Sequence, residues 1–181
     1  MRNSIRFFLL IALLVAGVTP VMAQGDENVV VVPAGEAIKI AIATDLTGPI
    51  AEMGLDIEQG GAIAINDLNE AGGILGFEVE YIAEDDRCSG DEGTLVANRV
   101  VSDPSIVAVM GHACSGATIA GSDVYAEARI PMVSPSATAT LVTARGLDVV
   151  NRVAFSDGAQ GKVAAYYMFH VLGIETLALL H

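Results

Sequence analysis

Apolar and polar positions follow two alternating periods along this chain. Residues 38–43 (Ile-Lys-Ile-Ala-Ile-Ala) form a short β-branched run that predicts a buried strand. Gly48-Pro49 marks a turn. Met53, Ile57, Gly61, Ala64, Leu68 and Ala71 then recur at helical spacing until Gly72-Gly73 stops them. Residues 77–82 alternate as a second strand with one wetter face. Ser89-Gly90-Asp91-Glu92 has the form of a capping box opening a helix through Val96, Val100 and Val101. Past Pro104, residues 106–110 predict a third strand, 117–128 a helix, 131–133 a short fourth strand and 149–153 a fifth. Asp157 is expected to cap a helix running to Leu172, with Gly173 at its end. Residues 175–181 read as one more strand.

Strands alternating with helices are βαβ units, so the expected fold is α/β: a doubly wound parallel sheet with right-handed crossovers. Ligands of such sheets sit outside the carboxyl ends of the strands. Three loops rich in Gly, Ser and Thr occupy that edge, at residues 44–53, 111–117 and 134–140. The chain has 181 residues, room for one ordinary domain. It ends on an apolar run with no helix to cover it, so the sequence is expected to be part of a longer protein.

The first residues have a different character. Arg2 and Arg6 precede an apolar run at 7–18, closed by Pro20, and Val21-Met22-Ala23 suits a signal peptidase. Residues 1–23 are therefore expected to be a secretory signal peptide cleaved before Gln24, with 24–36 a lead segment. An uncleaved anchor is the alternative, but the run is short for a membrane span. Export makes the two cysteines readable. Cys88 and Cys114, the only two, are expected to pair in an oxidising compartment; metal binding by two cysteines without histidine partners at zinc spacing is a poor alternative. The bridge would close a loop of about 27 residues, stabilising by roughly 3–4 kcal/mol in the chain-entropy model.

Composition removes whole classes of function. There are 22 Asp and Glu against 9 Lys and Arg, a net charge of −13, and no basic cluster to follow a phosphate backbone. Hydrophobic residues make up 52%, which rules out global disorder. No G-x-G-x-x-G motif supports a dinucleotide.

The segment Gly111-His112-Ala113-Cys114-Ser115-Gly116-Ala117-Thr118 leaves a strand and opens a helix. Its glycines imitate a P-loop, but Ala117 stands where the phosphate-binding lysine belongs. What remains is a helix N-terminus with the Ser115 hydroxyl, suited to a group such as a carboxylate. Ser115 as a plain N-cap is the competing reading. A Cys114 nucleophile with His112 beside it would make a hydrolase, but no orienting partner is evident and a bridge would consume the thiol. Asp85-Asp86 could meet a cation, yet two carboxylates before a helix start are more often solvated turn residues. His170 and His181 suggest no role. No metal or other cofactor is expected.

In order, Gly48-Pro49, Asn66-Asp67, Gly72-Gly73-Ile74 with Gly76, Asp85-Asp86 with Cys88, Gly111-His112 with Cys114-Ser115, residues 134–138 (Ser-Pro-Ser-Ala-Thr), Arg152, Asp157 and Gln160-Gly161 form a series. Over residues 37–181 it resembles the periplasmic leucine/isoleucine/valine-binding proteins of branched-chain amino-acid ABC transporters. The resemblance implies two α/β lobes with ligand between them. Residues 37–173 would be the first lobe and 174–181 the opening strand of the second. It implies that Ser115 and Thr138 hold the ligand α-carboxylate. The Ser136 carbonyl and Thr138 hydroxyl would meet the ammonium, with the Ala113 carbonyl on the same wall. It also implies the bridge between Cys88 and Cys114. Met53 stands where leucine-binding members carry an aromatic residue, and can line an apolar slot. The implied role is extracytoplasmic capture of a small amino acid or related amide for an ABC permease, with no bond made or broken. A ligand-sensing receptor of the same fold and, more remotely, the Cys114 hydrolase are the alternatives.

Overall fold

The computed structural model describes residues 30–178. The expected signal peptide, its cleavage point and residues 24–29 of the lead lie outside the described residues. Five strands and five helices follow in order: β1 (Ile38–Thr44), α1 (Ala51–Glu70), β2 (Val79–Asp85), α2 (Gly90–Ser102), β3 (Ile106–Gly111), α3 (Ser115–Glu127), β4 (Met132–Ser134), α4 (Leu141–Ala144), β5 (Val150–Arg152) and α5 (Asp157–Tyr166). A π-helical extension, Tyr167–Val171, continues α5. No described helix is long and apolar enough to cross a membrane.

All strands are parallel, in the order β2-β1-β3-β4-β5. The expected α/β parallel sheet is therefore present. Its centre explains the unbroken apolar run of β1. Successive side chains point to opposite faces, so Ala41 and Ala43 join Val96, Val100, Val109 and Tyr125 in one core. Ile42 joins Ile65 and Val79 in the other, with Leu68 and Met110 packed against it. A strand covered on both faces has no polar side to alternate with. α2 and α3 pack closely because Gly93 has no side chain: a Cβ there would stand 2.8 Å from the Ala117 Cα.

Several local expectations give way to tertiary contacts. β2 begins at Val79 because Ile74 and Phe77 pair in a separate bridge that closes the preceding turn. Asn69 then clamps the strand, donating to the Val79 carbonyl and accepting its amide, each at 2.8 Å. Ser89 occupies the N-cap of α2 but its side chain makes no capping bond, so the capping box does not close. The N-cap of α5 is Ser156, not Asp157; the Ser156 hydroxyl accepts the Ala159 amide at 3.2 Å. Asp157 is the first helical residue, where its charge still suits the helix dipole. A short helix that the sequence did not lead us to expect, α4, follows the polar loop after β4.

Regular α-geometry ends at Tyr166 rather than Leu172. No residue of α5 is buried. Residues 173–178 carry no strand, and residues 179–181 of the expected last strand lie outside the described residues. A strand forms only beside a hydrogen-bonding neighbour, and none is paired to 173–178 among the described residues.

Candidate functional site

Three loops meet at the carboxyl edge of the sheet. The β1–α1 loop is held by the buried Asp45, whose carboxyl accepts the Gly48 amide at 2.5 Å and the Ile50 amide at 2.8 Å. Gly54, in the first turn of α1, rests on the Asp45 carbonyl; a Cβ there would come within 1.7 Å. Met53, beside it, is 41% exposed. From β2, Asp85 reaches the same loop. It accepts the Leu46 amide at 2.9 Å, the Thr47 hydroxyl at 2.5 Å and the Arg87 amide at 3.0 Å. Partial burial pushes the Asp85 pKa up, but these hydrogen bonds outweigh it and hold the carboxyl below its usual range.

The β3–α3 loop leaves the sheet through Gly111. Its φ of +146° and the approach of the Ala43 carbonyl, 2.1 Å from a would-be Cβ, require glycine there. The β4–α4 loop lies alongside, and three hydrogen bonds lace the two together. Ser134 Oγ donates to the His112 carbonyl at 2.5 Å. Ser136 Oγ donates to the Ala113 carbonyl at 2.8 Å. The Ala139 amide donates to Ser115 Oγ at 3.1 Å. Arg152, on β5, supports the second loop from below, donating to the carbonyls of Thr138 at 3.1 Å and Ala139 at 2.8 Å. The Asp157 amide also reaches the Thr138 carbonyl, at 2.8 Å.

Ala113, Ser115, Ser136 and Thr138 are thus brought together on two laced loops, while Met53 stands on α1 beyond the end of β1. Ser115 is not an N-cap: Cys114 holds that position and Ser115 opens the helix. The first intrahelical bond of α3 runs from the Thr118 amide to the Cys114 carbonyl at 2.9 Å. The amides of Ser115, Gly116 and Ala117 precede it and have no partner within the helix. The Ser115 oxygen accepts from Ala139, and its proton remains to be donated. The Ala113 carbonyl already takes the Ser136 hydroxyl and keeps a second lone pair.

Beneath the loops lies a buried cluster. Asp86 and His112 are fully buried, with Asp86 Oδ2 and His112 Nδ1 2.7 Å apart. Asp86 Oδ1 accepts the Cys88 amide at 2.8 Å. Asp86 is therefore not a solvated turn residue, because a buried carboxyl needs partners and here has two. His112 Nε2 lies 3.2 Å from the Tyr125 hydroxyl. Burial, and then the charge of Asp86, raise the Tyr125 pKa far above its ordinary value, so the phenol stays protonated. Beside the cluster Cys88 and Cys114 form a disulfide, with Cα atoms 5.2 Å apart.

This geometry disposes of the hydrolase. Contrary to expectation His112 has an orienting carboxyl, but the Cys114 thiol is consumed and the imidazole is sealed from solvent. Among the described residues, no group of three or more His, Cys, Asp or Glu side chains could hold a metal ion. An apolar hollow lined by Phe155, Ala159, Gln160, Val163, Ala164 and Tyr167 lies on α5. The hollow lacks the convergent polar groups of a specific small-molecule site, although the first residues of α5 touch the β4–α4 loop.

The sequence did not point to Asp45 or Tyr125, nor to the supporting role of Arg152, and Asp86 read as a solvated turn residue. One signal for the buried pair was present. Asp-x-Cys at 86–88 and His-x-Cys at 112–114 share a spacing, so bridging the cysteines brings the other two together.

Residues 37–181 match the periplasmic binding protein family. The chain is 39% identical over 149 residues to the leucine-, isoleucine-, valine-, threonine- and alanine-binding protein of Pseudomonas aeruginosa, covering 82% of this chain and 39% of that protein. It is 37% identical over 146 residues to the Leu/Ile/Val-binding protein of Escherichia coli K12, covering 81% of this chain and 40% of that protein. Its fold superposes on the branched-chain amino acid transporter substrate-binding protein LivJ of Streptococcus pneumoniae, solved with isoleucine. There the TM-score is 0.69 at 32% identity, over 76% of this chain and 39% of that one. The leucine-binding protein LivK of Thermotoga maritima gives 0.67 at 33%, over 76% and 38%. The chain thus spans 39% and 40% of the two curated relatives. With the parallel sheet and its laced carboxyl edge, these matches show that the chain belongs to the periplasmic binding protein family.

Proposed function

We propose that this chain forms one wall of an extracytoplasmic site that captures a small, branched-chain-like amino acid or related amide for an ABC transporter. The carrying observation is the position of Ser115. Its oxygen is fixed between the two laced loops by the Ala139 amide, at the start of α3, with its proton available. A carboxylate placed there meets that hydroxyl, the first amides of α3 and the favourable end of the helix dipole. Thr138 adds a second hydroxyl, and among the described residues it makes no side-chain hydrogen bond. The Ser136 and Ala113 carbonyls offer acceptors for the ammonium, and Met53 lines the apolar side. The names of the relatives, which bind leucine, isoleucine and valine, support the ligand class. No bond is made or broken; the permease of the transporter takes the released ligand.

The facing wall belongs to the remaining length of the family fold. The exposed apolar side chains of Val163, Tyr166, Tyr167, Phe169 and Leu172 suit packing against it, since α5 buries nothing here. The test is calorimetric titration of leucine into protein carrying both lobes. Leucine should bind the wild type, and replacing Ser115 and Thr138 together by alanine should weaken it strongly. A double variant that binds like the wild type would put the carboxylate site elsewhere.

A further inference from the structure

The contact between Asp86 and His112 runs beside the disulfide. Asp86 and Cys88 lie two residues apart after β2, and His112 and Cys114 two apart after β3. The same two loops are therefore joined twice, once by the bridge and once by a 2.7 Å hydrogen bond with both side chains fully buried. With the ring proton on Nδ1, His112 donates to Asp86 while Nε2 accepts from Tyr125 on α3. The ring is packed tightly, since a Cβ on Gly121 would lie 2.7 Å from Nε2. The carbonyl of the same residue accepts the hydroxyls of Ser134 and of Thr118, the latter at 2.9 Å. Holding the ring thus holds the peptide that carries the first bond between the ligand loops. The ring is too deep to meet a ligand, so its role is indirect.

We propose that His112 is a positioning residue for the amino-acid site, a second tether parallel to the disulfide that keeps the Ser115 loop in place when the bridge is open. A buried carboxyl–imidazole bond can do this because no water competes for either partner. The consequence for ligand affinity rests on the proposed function; the tether itself does not.

The experiment is amide hydrogen exchange on the whole chain without ligand. The reporters are Ala137 and Ala139, whose amides bond Ser134 Oγ and Ser115 Oγ. Val109, bonded to the Pro131 carbonyl, is the control in the sheet. Replacing both cysteines by alanine lowers global stability, but exchange of the reporters through local opening of the loops should stay within about threefold of wild type. His112→Phe should speed them about tenfold or more while Val109 changes little, and His112→Asn, which keeps a donor toward Asp86, should restore most of the protection. His112→Phe without the bridge should exceed the product of the separate effects, as coupled restraints do. If His112→Phe does not fold, Asp86→Asn decides: it should speed Ala139 more in the bridge-free chain than in the bridged one. The tether is refuted if opening the bridge alone frees the reporters fully. It is also refuted if His112→Phe speeds Val109 as much as Ala139, or if the Asp86→Asn effect ignores the bridge. Leucine titration of wild-type protein with both lobes is run in parallel. Absent binding with intact loop protection counts against the proposed function and not against the tether.

Discussion

The Ala139 amide donates to the Ser115 hydroxyl at 3.1 Å, so the residue assigned to the ligand carboxylate also laces two loops. Ser115→Ala should therefore have two effects. Chemical denaturation should show a loss of about 1 kcal/mol for the internal hydrogen bond. Leucine affinity in two-lobed protein should fall about tenfold, the value of one bond to a charged group. Thr138→Ala should weaken leucine at least as much but leave stability within about 0.5 kcal/mol. Equal stability losses in the two variants would contradict this division of roles.

Two glycines of α1 should respond oppositely to alanine. At Gly54 the new methyl meets the Asp45 carbonyl, and unfolding should show a cost of about 3 kcal/mol or more. At Gly60, exposed in mid-helix with nothing within 4 Å, alanine should stabilise by up to about 1 kcal/mol through helix propensity. Thermal melts of both variants check the contrast.

The bridge closes a loop with a sequence separation of 26. Intact mass of the unreduced chain should lie two hydrogens below that of the reduced chain. Cys88→Ala with Cys114→Ala should cost about 3.5 kcal/mol in the chain-entropy model. Two alkylatable thiols in freshly prepared, unreduced protein would contradict the pairing.

Acid should weaken the joint between β2 and the β1–α1 loop. The Asp85 pKa is lower in the folded chain than its ordinary value. Its contribution is therefore complete above the unfolded value of about 4 and is lost as pH falls through the lower folded value. Asp85→Asn should lower stability at neutral pH and flatten the acid limb of a stability–pH curve below about pH 4. An unchanged acid limb would show that Asp85 carries no part of it.

One wall alone should bind poorly. A zwitterion with one side in water keeps much of its hydration, and the exposed apolar side chains of α5 favour self-association. Residues 24–181 should bind leucine only in the millimolar range, about −4 kcal/mol, or aggregate first. Protein with both lobes should bind orders of magnitude more tightly. Micromolar binding by monomeric 24–181 would overturn the two-wall mechanism.

Local spacing determined the five strands, the helices α1 to α3 between them and the parallel sheet, but not α4. A doubly covered strand needs a β-branched or small apolar run, and a helix beside it needs apolar residues at helical spacing; both are written within a few residues of chain. The pairing of Cys88 with Cys114 was legible as well, because the chain holds only two cysteines. Ser115, Ser136 and Thr138 stood out only as polar residues after strands, with their roles implied by a family series. Tertiary structure decided what depends on partners distant in sequence. Ser89 and Ser156 both precede helices, yet only the Ser156 side chain accepts a capping amide. Asp86 read as a solvated turn residue and is fully buried, because His112, 26 residues further on, folds against it. Residues 175–178 have strand-like composition, but among the described residues no strand lies beside them to complete their hydrogen bonds. Periodicity records which side of an element turns inward; the partner it meets there depends on how the elements pack.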